Sequence, residues 1–211
     1  QGLEAVPYFT TETIFDNTRK LTHLVVLGAD ALGLELAQSH ARLGAEVTVL
    51  DKGTALSGTD PELAAVALQR LREEGVDIRE GTEVVEVQSR SQGIGVLVRT
   101  GDREDRLDAS HVLVAAGRVP DIEALNLRSA GVRFRRDDPR QLELGAAGRS
   151  SNRRVFVIGG AADGGRGGHV AALEARAAVR TALFEVPFPA DLALAPRIVF
   201  LDPEVAEAVA H

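Results

Sequence analysis

The sequence predicts an α/β protein: a parallel sheet with a three-stranded antiparallel meander, followed by part of a second α/β domain. Three observations carry this. Residues 24–27 form a short, continuously apolar run that ends at Gly28, as a strand covered on both faces should. Strand and helix patterns then alternate up to Gly75. Beyond Gly81 the apolar runs shorten and alternate with polar residues between glycine-containing turns.

Residues 1–20 are mixed and polar, with Pro7 and threonines at 10, 11 and 13, and read as a connecting segment. Leu32, Leu36 and Leu43 recur at helical spacing, and Gly44 closes that helix. Residues 47–50 are the next buried strand, ending in Asp51. Asp60-Pro61-Glu62 supplies an N-cap, a proline tolerated at the first helical position and an acidic first turn. Strand–helix–strand–helix is the opening of a doubly wound sheet. Residues 76–78, 82–87 and 94–99 read as the meander, with one wet face, and residues 111–115 return as an apolar strand. Residues 155–158 form a further apolar strand ending at Gly159 and Gly160. A helix follows over about 169–184, with Val170, Leu173, Ala177, Thr181 and Phe184 on its buried side. The tail carries a last strand over 197–201.

A net charge of −7 argues against a general nucleic-acid binder. The basic runs at 133–136 and 149–154 read as solvated loops beside acids and turn residues. No apolar run is long enough to span a membrane and no signal segment is visible, which makes a cytoplasmic protein the default expectation. The absence of cysteine excludes disulfides, thiolate metal sites and a cysteine nucleophile within these 211 residues, and no metal site is expected.

The chemistry concentrates at Gly28-Ala29-Asp30-Ala31-Leu32-Gly33, between a buried strand and a helix. This is the place of a Rossmann-like glycine loop. There the first glycine makes the tight turn and the third lets helix and strand approach. The helix N-terminus meanwhile offers N–H groups to a pyrophosphate. The second glycine of the usual pattern is Asp30, which adds charge and bulk where a phosphate would approach. Asp51 ends the next strand near the spacing expected of a ribose-binding acid, which favours NAD over NADP. A loop of this ancestry that no longer binds a nucleotide remains open on the same residues.

Residues Leu24-Val25-Val26-Leu27-Gly28 through Gly33-Leu34-Glu35-Leu36-Ala37, with Leu43 to Leu50, resemble the FAD/NAD(P) disulfide oxidoreductases, among them dihydrolipoamide dehydrogenase and mercuric reductase. The match continues in order through residues 112–120, 150–159 and 202–206. The resemblance implies a connecting segment over 1–20, an NAD(P)-binding domain over 21–118 and a returning part of an FAD-binding domain over 119–195. Residues 196–211 would begin a dimerisation domain, making the full-length protein a homodimer. It implies hydride transfer from NAD(P)H to FAD in a longer parent. Gly28, Ala29, Asp30, Leu32, Gly33, Asp51, Val84, Ala116 and Gly117 would meet the nicotinamide dinucleotide. Glu35 matches a glutamate that pairs with a lysine beside the flavin, or is simply a first-turn acid of its helix. Gly159 and Gly160 would lie at FAD, although Gly160 stands where the family carries an aspartate; Asp163 is either a substitute or a surface turn residue. No catalytic residue is expected within the chain. Its lack of methionine, with Gln1 first, reads as an excised piece, inactive alone and missing FAD and interface segments of the same protein. The alternative is a degenerate, non-catalytic nucleotide-fold module serving as a scaffold or assembly surface.

Overall fold

The computed structural model describes residues 1–163, 167–186, 192 and 195–208. They fall into two units, one of residues 1–116 with 198–207, the other beginning at Gly117 and running to Arg197.

In the first unit, β1 (Phe9–Thr10), β2 (His23–Leu27), β3 (Glu46–Leu50), β4 (Asp77–Arg79) and β8 (His111–Val114) form one parallel sheet in the order β1-β8-β2-β3-β4. Between β4 and β8 the chain makes the meander β5 (Thr82–Ser89), β6 (Ile94–Thr100) and β7 (Arg103–Ala109). Strand periodicity splits the core in two. Leu24 and Val26 face α1 (Ala31–Arg42) and α2 (Pro61–Glu73), packing with Leu34, Ala37, Leu68 and Leu71. Val25 and Val112 face the other way, against Val87, Val96 and Val98 of the meander. Complete burial of such a side chain contributes about 1.5–3 kcal/mol. Helices therefore cover one face, and the meander occupies the place a doubly wound sheet would give to further helices.

Several expectations are corrected. Residues 77–79 join the parallel sheet, and the third meander strand is β7. The entry segment packs on the first unit. Phe9 and Thr10 form the sheet edge against β8, the Gln1 terminus and carbonyl bond Val85 and Val87, and Val6 is buried. Leu43 is 81% exposed, because α1 has ended at Arg42 and the helical spacing no longer applies. The cap of α2 forms as expected, Asp60 accepting from the N–H groups of Glu62 and Leu63.

Residues 198–207 belong to the first unit through β9 (Arg197–Val199) and β10 (Val205–Glu207), which pair with each other. Three side chains spaced along α1 hold the intervening turn. Glu35 accepts from the Phe200 N–H at 2.8 Å, Gln38 both accepts from and donates to the Asp202 backbone at 2.9 Å, and Arg42 pairs with Asp202 at 2.8 Å. Arg42 also bonds Glu74 at 2.7 Å, and its guanidinium is the main reason the Glu74 carboxyl lies below its ordinary value. Glu207 accepts from the Asp60 N–H ahead of α2.

The second unit has a smaller core of Ile122, Val132, Leu142 and Val157, and the helix α4 (Gly168–Phe184) preceded by the short α3 (Gly160–Asp163). Residues 155–158 do not form the expected strand: Phe156 makes one isolated bridge to Arg149, with no ladder among the described residues. An apolar run becomes a strand only where a neighbour completes its hydrogen bonds. The buried side of α4 is Glu174, Ala177, Ala178 and Thr181, whereas Phe184 is 64% exposed. No described helix is long and apolar enough to cross a membrane.

Candidate functional site

The glycine loop is built by close approach at the C-terminal ends of β2, β3 and β8. Gly28 has φ of +111° and donates its N–H to the Leu50 carbonyl at 2.8 Å. A Cβ there would lie 2.5 Å from the Ala115 carbonyl oxygen, so the position admits only glycine. Gly33 is required for a different reason: a Cβ on it would lie 2.3 Å from the Gly28 carbonyl oxygen and 3.3 Å from the Ala115 Cβ. The two glycines bring the first turn of α1 onto the strand that feeds it.

Asp51 locks this corner. Its Oδ2 accepts the Ala29 N–H at 2.8 Å and its Oδ1 accepts the Gly53 N–H at 2.7 Å. Its own carbonyl accepts from Thr82 at 2.8 Å, which ties the start of β5 to the end of β3. Each carboxylate oxygen keeps a second lone pair for a ribose hydroxyl. Sequence reasoning assigned Asp51 to a ligand and missed this internal role. Ala29 is 1% exposed, with its N–H committed to Asp51 and its carbonyl to Leu56, so it shapes the loop and offers no donor outward.

Asp30 caps α1 with φ of −73° and ψ of 172°, ordinary extended backbone that any residue adopts. Its side chain is exposed and makes no capping bond. The first intrahelical bond runs from the Leu34 N–H to the Asp30 carbonyl. The N–H groups of Ala31, Leu32 and Gly33 therefore precede any i→i−4 partner, and these donors together with the helix dipole favour an anion. The exposed Asp30 carboxylate already supplies one negative charge at that end.

Glu35 lies in the second turn of α1 rather than the first, and its Oε1 is engaged by the Phe200 N–H. Val84 is half-buried against the Val25 side of the core, beside a register irregularity between Val84 and Glu86. Ala116 and Gly117 follow β8 and are exposed. The loop, Asp51, Val84 and Ala116 thus belong to one unit.

Gly159 and Gly160 lie in the other. Gly159 is buried, with φ of +60°, and donates its N–H to Glu174 Oε2 at 2.6 Å; a Cβ on it would meet the Ala171 Cβ at 2.8 Å. Glu174, a buried carboxylate on α4, is a residue sequence reasoning missed. Gly160 is exposed, and a Cβ there would meet nothing within 4 Å. The Asp163 side chain lies outside the described residues. Among the described residues no cluster of three or more His, Asp or Glu could hold a metal ion.

A parallel sheet, a strand-to-helix corner closed by two glycines and a meander set before the last strand define a class, the nucleotide-binding fold of flavoprotein oxidoreductases. The chain belongs to the pyridine nucleotide-disulphide oxidoreductase family, whose pattern matches residues 2–187. It is 34% identical to mercuric reductase of Acidithiobacillus ferrooxidans over 97% of this chain and 36% of that protein. It is 31% identical to dihydrolipoyl dehydrogenase of Geobacillus stearothermophilus over 87% of this chain and 38% of that protein. LpdA of Mycobacterium tuberculosis superposes with a TM-score of 0.81 and 26% identity, over 94% of this chain and 42% of its own. The flavoprotein disulfide reductase RclA of Escherichia coli shares the fold, with a TM-score of 0.83 at 21% identity, over 97% of this chain and 47% of its own. The chain spans between 36% and 47% of the length of these proteins.

Proposed function

We propose that the first unit is the NAD(P)-binding region of a longer FAD-dependent oxidoreductase, with NAD preferred over NADP. The observation that carries this is the corner made by Gly28, Gly33 and Asp51. Its backbone is closed tightly enough for a pyrophosphate to reach the α1 N-terminus, and its acid retains lone pairs for a ribose. A carboxylate at Asp51 repels a 2′-phosphate, which is the basis of the NAD preference. In the longer protein a bound reduced nicotinamide supplies a hydride to FAD. This chain's residues bind and orient the nucleotide: Leu32 and Gly33 through backbone donors, Val84 along the adenine side, and Ala116 and Gly117 at the end of β8.

Toward FAD the fit is poorer. Gly160 contributes no carboxylate, and residues 155–158 lack a neighbouring ladder among the described residues. The returning-FAD reading of residues 119–195, the dimerisation reading of 196–211 and the homodimer stay part of the same proposal. A second reading, a nucleotide fold kept as a scaffold, is favoured by one specific observation: the Asp30 carboxylate at the helix end where a pyrophosphate would sit. Calorimetric titration with NADH and NADPH separates the two. Saturable NADH binding, tightened by Asp30→Gly, supports the first; no heat from either nucleotide, before and after that substitution, leaves the scaffold.

A further inference from the structure

The two basic runs read as solvated loops lie partly exposed, with Ser150 buried and Arg149 half-buried, and they border adjoining surface clefts of the second unit. A cleft of about 680 Å³ is bordered by Arg128, Arg133, Phe134, Arg135 and Arg136, and one of about 340 Å³ by Arg149, Ser150 and Ser151. Arg133 and Glu143 line both, so the clefts adjoin across that pair. Five arginines face two carboxylates, Asp137 and Glu143. Arg133 pairs with Glu143 at 3.0 Å and Arg135 with Asp137 at 2.5 Å, and those pairs cancel.

The remaining cations are unspent. Arg128 lies 4.4 Å from the Phe134 ring centroid and Arg149 lies 5.3 Å from that of Phe156, each held by an aromatic face rather than by an acid. Arg136 has no acidic partner among the described residues. The Arg149 Nε is buried and has no hydrogen-bond partner there either. A buried donor on a charged group is costly to leave unmet, and such groups ordinarily have a partner. Neutral ligands find little here, because both serine hydroxyls are engaged by the frame. Ser150 Oγ donates to the Asn152 carbonyl and accepts its N–H, and Ser151 Oγ donates to the Gly131 carbonyl and accepts the Arg133 N–H.

We propose that this groove binds a small anion of the diphosphate class, one oxyanion group at Arg149 and another toward Arg128 and Arg136. Planar guanidinium forks match phosphate oxygens, and two adjoining arginine-bordered clefts suit an anion with two linked oxyanion groups. The site does not depend on the nucleotide loop, so either reading can fail without the other.

The test is a titration of the isotope-labelled chain with inorganic pyrophosphate, read by amide shifts, beside a titration with orthophosphate. Saturable shifts are expected within residues 128–151, with pyrophosphate the tighter ligand and affinity falling as salt rises. Arg149→Gln should weaken binding about tenfold or more, the scale of one lost charged hydrogen-bond pair. Arg136→Gln, at an exposed position, keeps the test alive if the first variant fails to fold, and should weaken binding severalfold with an unchanged melting temperature. Shifts confined to residues 28–34, no saturable shift within 128–151, or shifts there that survive the substitutions would each overturn the proposal.

Discussion

Replacing Asp30 is the sharpest test of the proposed nucleotide site, because the structure separates charge from conformation. The residue has φ of −73°, so glycine there relieves no backbone strain. Its side chain makes no capping bond, so exchanging it for glycine costs the helix only a few tenths of a kcal/mol, the usual difference between these residues at a cap. What the substitution removes is a unit negative charge beside the donors of Ala31 and Leu32. Two like charges about 4 Å apart repel by roughly 1 kcal/mol in water and more where solvent is displaced. Asp30→Gly should therefore tighten NADH binding by about 1–2 kcal/mol, on the order of five- to thirtyfold. Asp30→Asn keeps nearly the same bulk and removes the charge, so it should recover most of that gain. Isothermal titration of the three proteins at low and high salt reads both effects, and the advantage of the variants should shrink as salt screens the repulsion. If Asn gives nothing while Gly tightens binding, bulk and not charge is the obstacle; if neither variant gains, the reasoning about this helix end is wrong.

Other perturbations follow from the same geometry. Gly33→Ala places a methyl 2.3 Å from the Gly28 carbonyl oxygen and should lower stability by about 1–3 kcal/mol, read as a lower denaturant midpoint. Asp51→Asn leaves one acceptor oxygen for the Ala29 and Gly53 donors, costing about 1–3 kcal/mol of stability, and should narrow any preference for NADH over NADPH. Acid should act in two stages. Burial, with the Arg19 charge behind it, holds His111 below its ordinary 6.5, and Arg42 holds Glu74 below 4.5. In both cases the unfolded chain takes up the proton first, so stability falls as pH drops through those values. Thermal melts of Glu74→Gln should show a smaller lower step, the rest of it coming from Asp105, Asp137 and Asp138, and keep the upper one.

The part of the fold that was legible in the sequence is the part whose signals are local. The β2 run, the loop glycines and the Asp60-Pro61 cap need only neighbouring residues to be read. β7 was missed because five of its seven residues are charged; only Leu107 and Ala109 reach the core, and β6 supplies the rest of its reason to be a strand. Residues 155–158 mislead in the opposite sense, apolar enough for a strand but given one bridge. At the site, the steric need for Gly28 and Gly33 was foreseen. The double engagement of Asp51 was not, since it depends on Gly53, a loop residue with no motif. Glu174 was invisible for a similar reason: counting apolar spacing along α4 treats an acid as solvent-facing, whereas the Gly159 N–H draws it inward.

The anchoring of residues 200–202 by Glu35, Gln38 and Arg42 has a consequence for how the chain is assembled. These contacts join residues separated by about 160 positions, with residues 117–197 of the second unit lying between them in sequence. During synthesis the sheet and α1 can form before residues 198–207 exist, so that segment must be captured by a surface already made. Contacts of such long range belong to the late stages of folding. Native-state hydrogen exchange should show it: the Phe200 and Asp202 amides opening at lower cost than those of β2, and Gln38→Ala accelerating exchange at Asp202 while leaving Val25 untouched. The helix that begins at the glycine corner would then serve twice, as an early scaffold and as the seat of a later seam.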